Sequence, residues 1–205
     1  MLYMRIQKSL KKAVDEIVAN DYESAMLHVC NAIDGTAQKK YGGKSSRTIY
    51  TKFLRDHYDL ICALTGLPQL NLKDTIWPVT VERTEKPDFA EMIYGVHRCG
   101  HNHGAEVPEG FAFYPDTNDP LNKTTLKIQN GSVGLSDRFI WALITIVVLD
   151  PVNNDLRLLS PELDGYYLTI GKKRYLINEW WGKLDDFPKL PLITSKYTFD
   201  FTELR

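Results

Sequence analysis

The sequence predicts a mainly α-helical bundle with two short β-hairpins appended, on three observations. Apolar residues recur at i, i+3, i+4 spacing in four capped segments before residue 104. An apolar run of 11 residues, Phe139 to Leu149, reads as a fifth, buried helix. Alternating stretches flank the turn signals Asn130-Gly131 and Gly171-Lys172-Lys173. The expected organisation is a helical core over residues 1–104, an acidic proline-rich loop over 105–122, and an extension over 123–205 whose buried helix completes the core.

Each element has its own warrant. Leu2, Ile6, Leu10, Val14 and Ile17 or Val18 space a first helix over residues 1–19. Asn20-Asp21 caps a second, carried by Tyr22, Ala25, Met26, Val29, Cys30 and Ile33. Cys30 falls on its buried face as a small core residue, and Asp34 lies at the edge of that face, where a carboxylate can orient a neighbouring basic group or reach solvent. Gly42-Gly43 breaks the pattern. Ser45-Ser46 then caps a third helix through Ile49, Phe53, His57, Leu60, Ile61 and Leu64, stopped by Gly66 and Pro68. On it His57 reads as a satisfied, half-buried histidine. Residues 67–87, with Pro68, Pro78 and Pro87, read as an irregular connection with room for a short helix near Leu72 to Trp77.

The fourth helix starts at Asp88 with an apolar stripe of Phe89, Met92, Ile93, Val96 and Gly100. Beyond Gly104, prolines alternate with acids and with Phe111, Phe113 and Tyr114, which predicts a loop. Thr124 to Gln129 and Ser132 to Leu135 form the first hairpin, and Ser136-Asp137 caps the buried helix, which Asp150-Pro151 ends. Tyr166 to Ile170 and Arg174 to Trp180 form the second hairpin.

Composition bounds the function. With 205 residues, 43% hydrophobic and 25% charged, the chain reads as an ordinary soluble globular protein. A net charge of −1 gives no whole-chain attraction for nucleic acid, yet the charge is uneven. Lys39, Lys40, Lys44, Arg47, Lys52 and Arg55 face only Asp56 over residues 39–57, a local charge of +5. Residues 105–122 carry Glu106, Glu109, Asp116 and Asp119 with no cation, a local charge of −4. Three cysteines, Cys30, Cys62 and Cys99, form no disulfide pattern, and no N-terminal signal pattern is present, so a reducing cytoplasm is the expected compartment. No apolar run approaches the roughly 20 residues of a bilayer span, so no membrane partner is expected.

Chemistry concentrates in Tyr94 to Gly104, which holds three of the five histidines, Cys99 and Arg98. An imidazole exchanges protons near neutrality, and a guanidinium holds two phosphate oxygens through parallel hydrogen bonds. Those two groups suffice to cleave RNA through its own 2′-hydroxyl, one moving the proton and one stabilising the phosphorane, with no cofactor. On an ideal α-helix Arg98 and His103 lie about 140° apart, so they meet only through a distorted last turn, a bent Arg arm or a second chain. Two other readings stay open. His97, Cys99, His101 and His103 are all possible metal ligands, with His97 and His101 at i, i+4, although no Glu accompanies them as in a zinc hydrolase. Alternatively His103 packs or caps, and Arg98 is a solvated charge.

The stretch Tyr94-Gly95-Val96-His97-Arg98-Cys99-Gly100-His101-Asn102-His103-Gly104 resembles the signature helix of HEPN-domain proteins, an Arg followed after four to six residues by His. Ala25 to Ala37 resembles the long second helix of that family, and the similarity covers roughly residues 10–105. The resemblance implies an all-helical bundle, a homodimer whose two signature helices form one cleft, and metal-independent ribonuclease activity of the toxin–antitoxin, antiphage or RNA-processing kind. It implies catalytic roles for Arg98 and His103, with Asn102 or His101 assisting; Asp34, from its place on the second helix, is the candidate carboxylate to orient them. Some family members bind rather than cut, so a nucleotide- or protein-binding module is the alternative, and a protein antitoxin or adaptor is a candidate partner. Cys99 departs from the polar residue that often follows the Arg, and the strand-forming region after Leu121 lies outside the common core. RNA held by such a site needs local positive charge, and Lys44, Arg47 and Lys52 are the expected contacts, supplemented by Lys172, Lys173 and Arg174.

Overall fold

The computed structural model describes residues 2–82, 84–99, 111–119, 121, 123–129, 131–159, 163–170, 173–189 and 195–204. For residues 2–4, 97–99, 118, 157–159 and 169–170 it describes only the backbone. The fold is mainly α with a few short strands.

Helices α1 (Leu2–Val18) and α2 (Tyr22–Tyr41) form an antiparallel pair. The turn between them is tight because Asn20 takes a positive φ of 62° and the Asp21 side chain accepts from Ser24 N at 3.0 Å. Ile6, Leu10, Ala13 and Val14 on α1 bury against Ala25, Met26, Val29 and Cys30 on α2, so the apolar spacing read from sequence is the contact face. Gly35 permits the close approach: a Cβ there would lie 2.8 Å from Ile6 Cγ1.

The expected third helix is two helices, α3 (Arg47–Asp56) and α4 (Tyr58–Leu64), broken at His57. The break has a local cause. His57 N donates to Leu54 O at 3.0 Å, while its Nδ1 lies 2.7 Å from Phe53 O, the carbonyl its own amide would have bonded in a continuous helix. Side chain and backbone compete for one acceptor, and the imidazole takes it. At 5% exposure His57 is satisfied, as read, and more deeply buried than expected.

The short helix expected near Leu72 to Trp77 is absent, its place taken by pairing with the chain's end. Asn71 N donates to Tyr197 O at 2.9 Å, Ile76 N to Phe199 O at 2.9 Å, and Phe201 N to Ile76 O at 3.1 Å. These partners are about 120 residues away, so no local pattern announces them.

α5 (Phe89–Ile93) continues as a π-helix over Tyr94–Cys99. Farther on, Phe111–Tyr114 is a strand (β1), where the sequence predicted only loop. It pairs in parallel with β3 (Ser132–Ser136), which pairs antiparallel with β2 (Leu126–Gln129) as the hairpin reading expected. The aromatic strand occupies the second edge of β3, and bare Gly134 makes room for it: a Cβ there would lie 2.4 Å from Tyr114 Cε2.

α6 (Arg138–Leu149) is buried along nearly its whole length and packs on α2 and α4, as expected of the apolar run. Asp137 precedes it without capping it; Ser136 Oγ accepts from Arg138 N at 3.2 Å instead. A 3-10 segment, Pro151–Leu159, ties back to α1 and α2 through Gln7 Nε2 on Leu156 O at 2.9 Å and Asn153 Nδ2 on Thr36 Oγ1 at 3.1 Å. The second hairpin is β4 (Tyr167–Ile170) and β5 (Lys173–Leu176). Its second strand stops short of the expected Trp180, because Ile177–Trp180 forms a helical turn (α7) that buries Ile177 and packs Trp180 edge-to-face with Tyr175 and Phe187. Among the described residues no helix is long and apolar enough to cross a membrane.

Candidate functional site

The helix bearing the candidate chemistry is anchored at its start. Asp88 accepts from Glu91 N at 2.9 Å and from the forked Arg55 guanidinium at 2.7 and 3.1 Å, while Tyr58 Oη accepts from Ala90 N at 2.8 Å. Phe89, Met92, Ile93 and Val96 are buried, as the stripe predicted. At Tyr94 the hydrogen-bond ladder changes from i→i+4 to i→i+5 and carries this register through Arg98 to Cys99. Gly95 lies inside that segment and packs directly on Val81; a Cβ would sit 2.3 Å from Val81 Cγ1. His101, Asn102 and His103 lie outside the described residues, as do the side chains of His97, Arg98 and Cys99. Among the described residues no group of three His, Cys, Asp or Glu side chains is arranged to hold a metal ion, and the four candidate ligands of this stretch are not among them.

The basic stretch of residues 39–57 is largely engaged within the fold. Lys39 bonds Asp155, Lys40 reaches Asp150 at 2.7 Å, Arg47 Nε reaches Glu91 at 2.5 Å, Lys52 pairs with Asp56 at 2.7 Å, and Arg55 pairs with Asp88 and Glu91. Arg47 also donates to Glu82 O at 2.6 Å. The acids that neutralise this stretch come mostly from elsewhere in the chain, so the local charge of the sequence is not the local charge of the surface. Lys44 is exposed, and Arg174 lies over the Tyr167 ring at 4.5 Å. Asp116, one of the loop acids, is 6% exposed and accepts from Thr125 Oγ1 at 3.0 Å, so it braces the sheet.

A different cationic surface faces solvent. Arg5, Lys8, Ser9 and Lys12 form an i, i+3, i+4, i+7 stripe along α1 and line one wall of a groove of about 450 Å3. The other wall is α2, with His28, Asn31, Asp34, Gly35 and Gln38. Burial, reinforced by Lys12, holds the His28 imidazole below its ordinary pKa, against opposing pulls from Glu16 and Asp21. Asp34, 8% exposed, accepts from Gln38 Nε2 at 3.1 Å and from Ser45 Oγ. That second bond draws the 42–46 turn, with Lys44, to the Asp34 end of the groove. Sequence reading passed over this surface, although the stripe of Arg5, Lys8 and Lys12 at helical spacing was its signal.

Fold and groove together define a mainly α protein with an open cationic furrow between its first two helices. The chain belongs to the Rv1289 family, whose model matches residues 5–205. It is similar to Uncharacterized protein Rv1289 of Mycobacterium tuberculosis and Uncharacterized protein Mb1320 of Mycobacterium bovis, at 31% identity over 190 residues in each case, covering 89% of this chain and 87% of theirs. No solved structure matches the chain at a significant level.

Proposed function

We propose that this protein is a metal-independent endoribonuclease with a HEPN-like bundle, cleaving RNA by attack of the 2′-hydroxyl on the adjacent phosphodiester. In this reading His103 transfers the proton, Arg98 holds the phosphate, and Asn102 or His101 assists. The observation that carries it is the π-helical register of Tyr94–Cys99. Arg98 lies inside that segment, and His103 follows five residues later in sequence. The 140° separation is that of an ideal α-helix, and the helix departs from α geometry over Tyr94–Cys99. π-helical turns inside helices are frequent at functional sites, which adds to the support.

RNA backbone is held, in this reading, along the α1–α2 groove by Arg5, Lys8 and Lys12, with Lys44 at its end. Two copies pair through their signature helices, in the manner the resemblance implies, and a defence or toxin–antitoxin setting with a protein antitoxin fits such an enzyme. The test is incubation of wild type and His103→Ala with RNA in EDTA, reading 2′,3′-cyclic phosphate ends. Cleavage by wild type alone is the expected result; activity abolished by EDTA overturns the metal-independent mechanism. A second reading, a nucleotide- or protein-binding module on the same scaffold, draws on the ion pairing that occupies Lys39, Lys40, Arg47, Lys52 and Arg55. Wild-type inactivity on several RNAs with retained binding decides for it.

A further inference from the structure

A cavity of about 600 Å3 opens where the end of α1, the start of α2, the start of α6 and the turn before β4 converge. This is a volume ordinary for small-molecule sites. Its walls mix apolar and aromatic side chains, among them Val14, Ile17, Tyr22 and Trp141, with the polar Asn20 and Thr117. Its charged groups are both carboxylates: Asp137, 1% exposed, and Asp164, exposed at the rim, with no Lys or Arg among the described lining residues.

We propose that this cavity binds a compact organic cation, an amine carried on a flat apolar body, with Asp137 as its counter-ion. Asp137 is a buried acid whose hydrogen bonds come from neutral neighbours. It accepts from Thr117 N at 2.9 Å and lies 3.5 Å from Ser136 Oγ, and both contacts are made by Oδ1. Burial pushes its pKa up and Asp116 adds to the rise, against the Thr117 bonds and Arg138. A ligand ammonium supplies the charge partner such a group lacks. Aromatic faces attract cations. Two of the lining rings already carry one, Tyr166 under Lys11 at 5.4 Å and Tyr167 under Arg174 at 4.5 Å, which leaves Tyr22 and Trp141 as the aromatic walls for a ligand. A nucleotide fits worse, because its phosphate would approach two carboxylates with no cation on the lining.

Calorimetry on the full chain with tryptamine, indole-3-acetate and guanosine monophosphate separates the possibilities. Tryptamine is expected to saturate one site, with the indole acid and the nucleotide at least about tenfold weaker. Asp137→Asn, which keeps the acceptor for Thr117 N, is expected to weaken tryptamine about tenfold. Asp164→Asn, an exposed rim change that leaves the core untouched, is expected to weaken it by a smaller factor. Equal binding of indole-3-acetate, binding of the nucleotide as tight as tryptamine, indifference to Asp137→Asn, or no tryptamine saturation by about 1 mM would each overturn the proposal.

Discussion

His57 Nε2 stands 3.2 Å from Asp150 Oδ2, and the two side chains are 4% and 1% exposed. The Phe53 carbonyl can only accept, so Nδ1 is the donor there and Nε2 faces Asp150. Lys40 Nζ completes the cluster at 2.7 Å from the same carboxylate oxygen, and Val152 N donates to Oδ1 at 3.0 Å. One acid thus fastens the α3–α4 break, the end of α2 and the exit of α6.

Removing that acid leaves His57 and Lys40 facing an emptied, buried position. Asp150→Ala is expected to cost about 3 kcal/mol or more, read from the urea midpoint, because breaking a buried pair strands its partners. A change below about 0.5 kcal/mol would mean that solvent reaches the cluster freely.

The same residue sets an acid limit. Burial alone would raise the Asp150 pKa, but bonds from His57, Lys40 and Val152 outweigh it and hold the carboxyl down at about 2, from an ordinary 3.8. A folded-state pKa below the unfolded one contributes stability above the unfolded value, and that contribution disappears as pH falls through the folded value. Melting temperature should therefore fall between about pH 4 and pH 2, and Asp150→Asn should fall less steeply across that window.

Gly95→Ala is expected to destabilise the protein by about 1–3 kcal/mol, since the added methyl enters the space of Val81. Val81→Ala in the same chain should recover part of the loss. The pair of unfolding curves isolates contact at the π-helix from a general intolerance of substitution there.

RNA binding, if the groove holds the backbone, should follow Lys8 and Lys12 more than Arg47. Charge reversal at Lys8 and Lys12 is expected to lower affinity for all RNA sequences alike and to reduce the salt slope by roughly one for each phosphate no longer neutralised. Lys44→Glu should act in the same direction. Arg47→Ala should register first as lower stability, by about 1 kcal/mol, through its bond to Glu91, with the salt slope nearly intact. An unchanged slope in the Lys8 and Lys12 variants would remove the groove from the RNA-binding reading.

Local structure is legible in the amino-acid sequence alone. Helical spacing located α1 and α2, a continuous apolar run located α6, caps at Asp21, Ser46 and Asp88 marked helix starts, and Asn130-Gly131 marked the first hairpin. Each rests on interactions within a few residues, which periodicity and turn chemistry encode. Partners distant in the chain decided the rest. The ion-paired surroundings of His57 depend on Asp150, β1 depends on an open edge of β3, and the 69–77 segment depends on Tyr197 to Phe201. The candidate surface shows the same division. A count of Lys and Arg along residues 39–57 sees charge, but the acids that cancel it, Glu91, Asp88, Asp150 and Asp155, arrive only when the chain folds. Net charge along a segment is a property of sequence; field at a surface is a sum over neighbours in space.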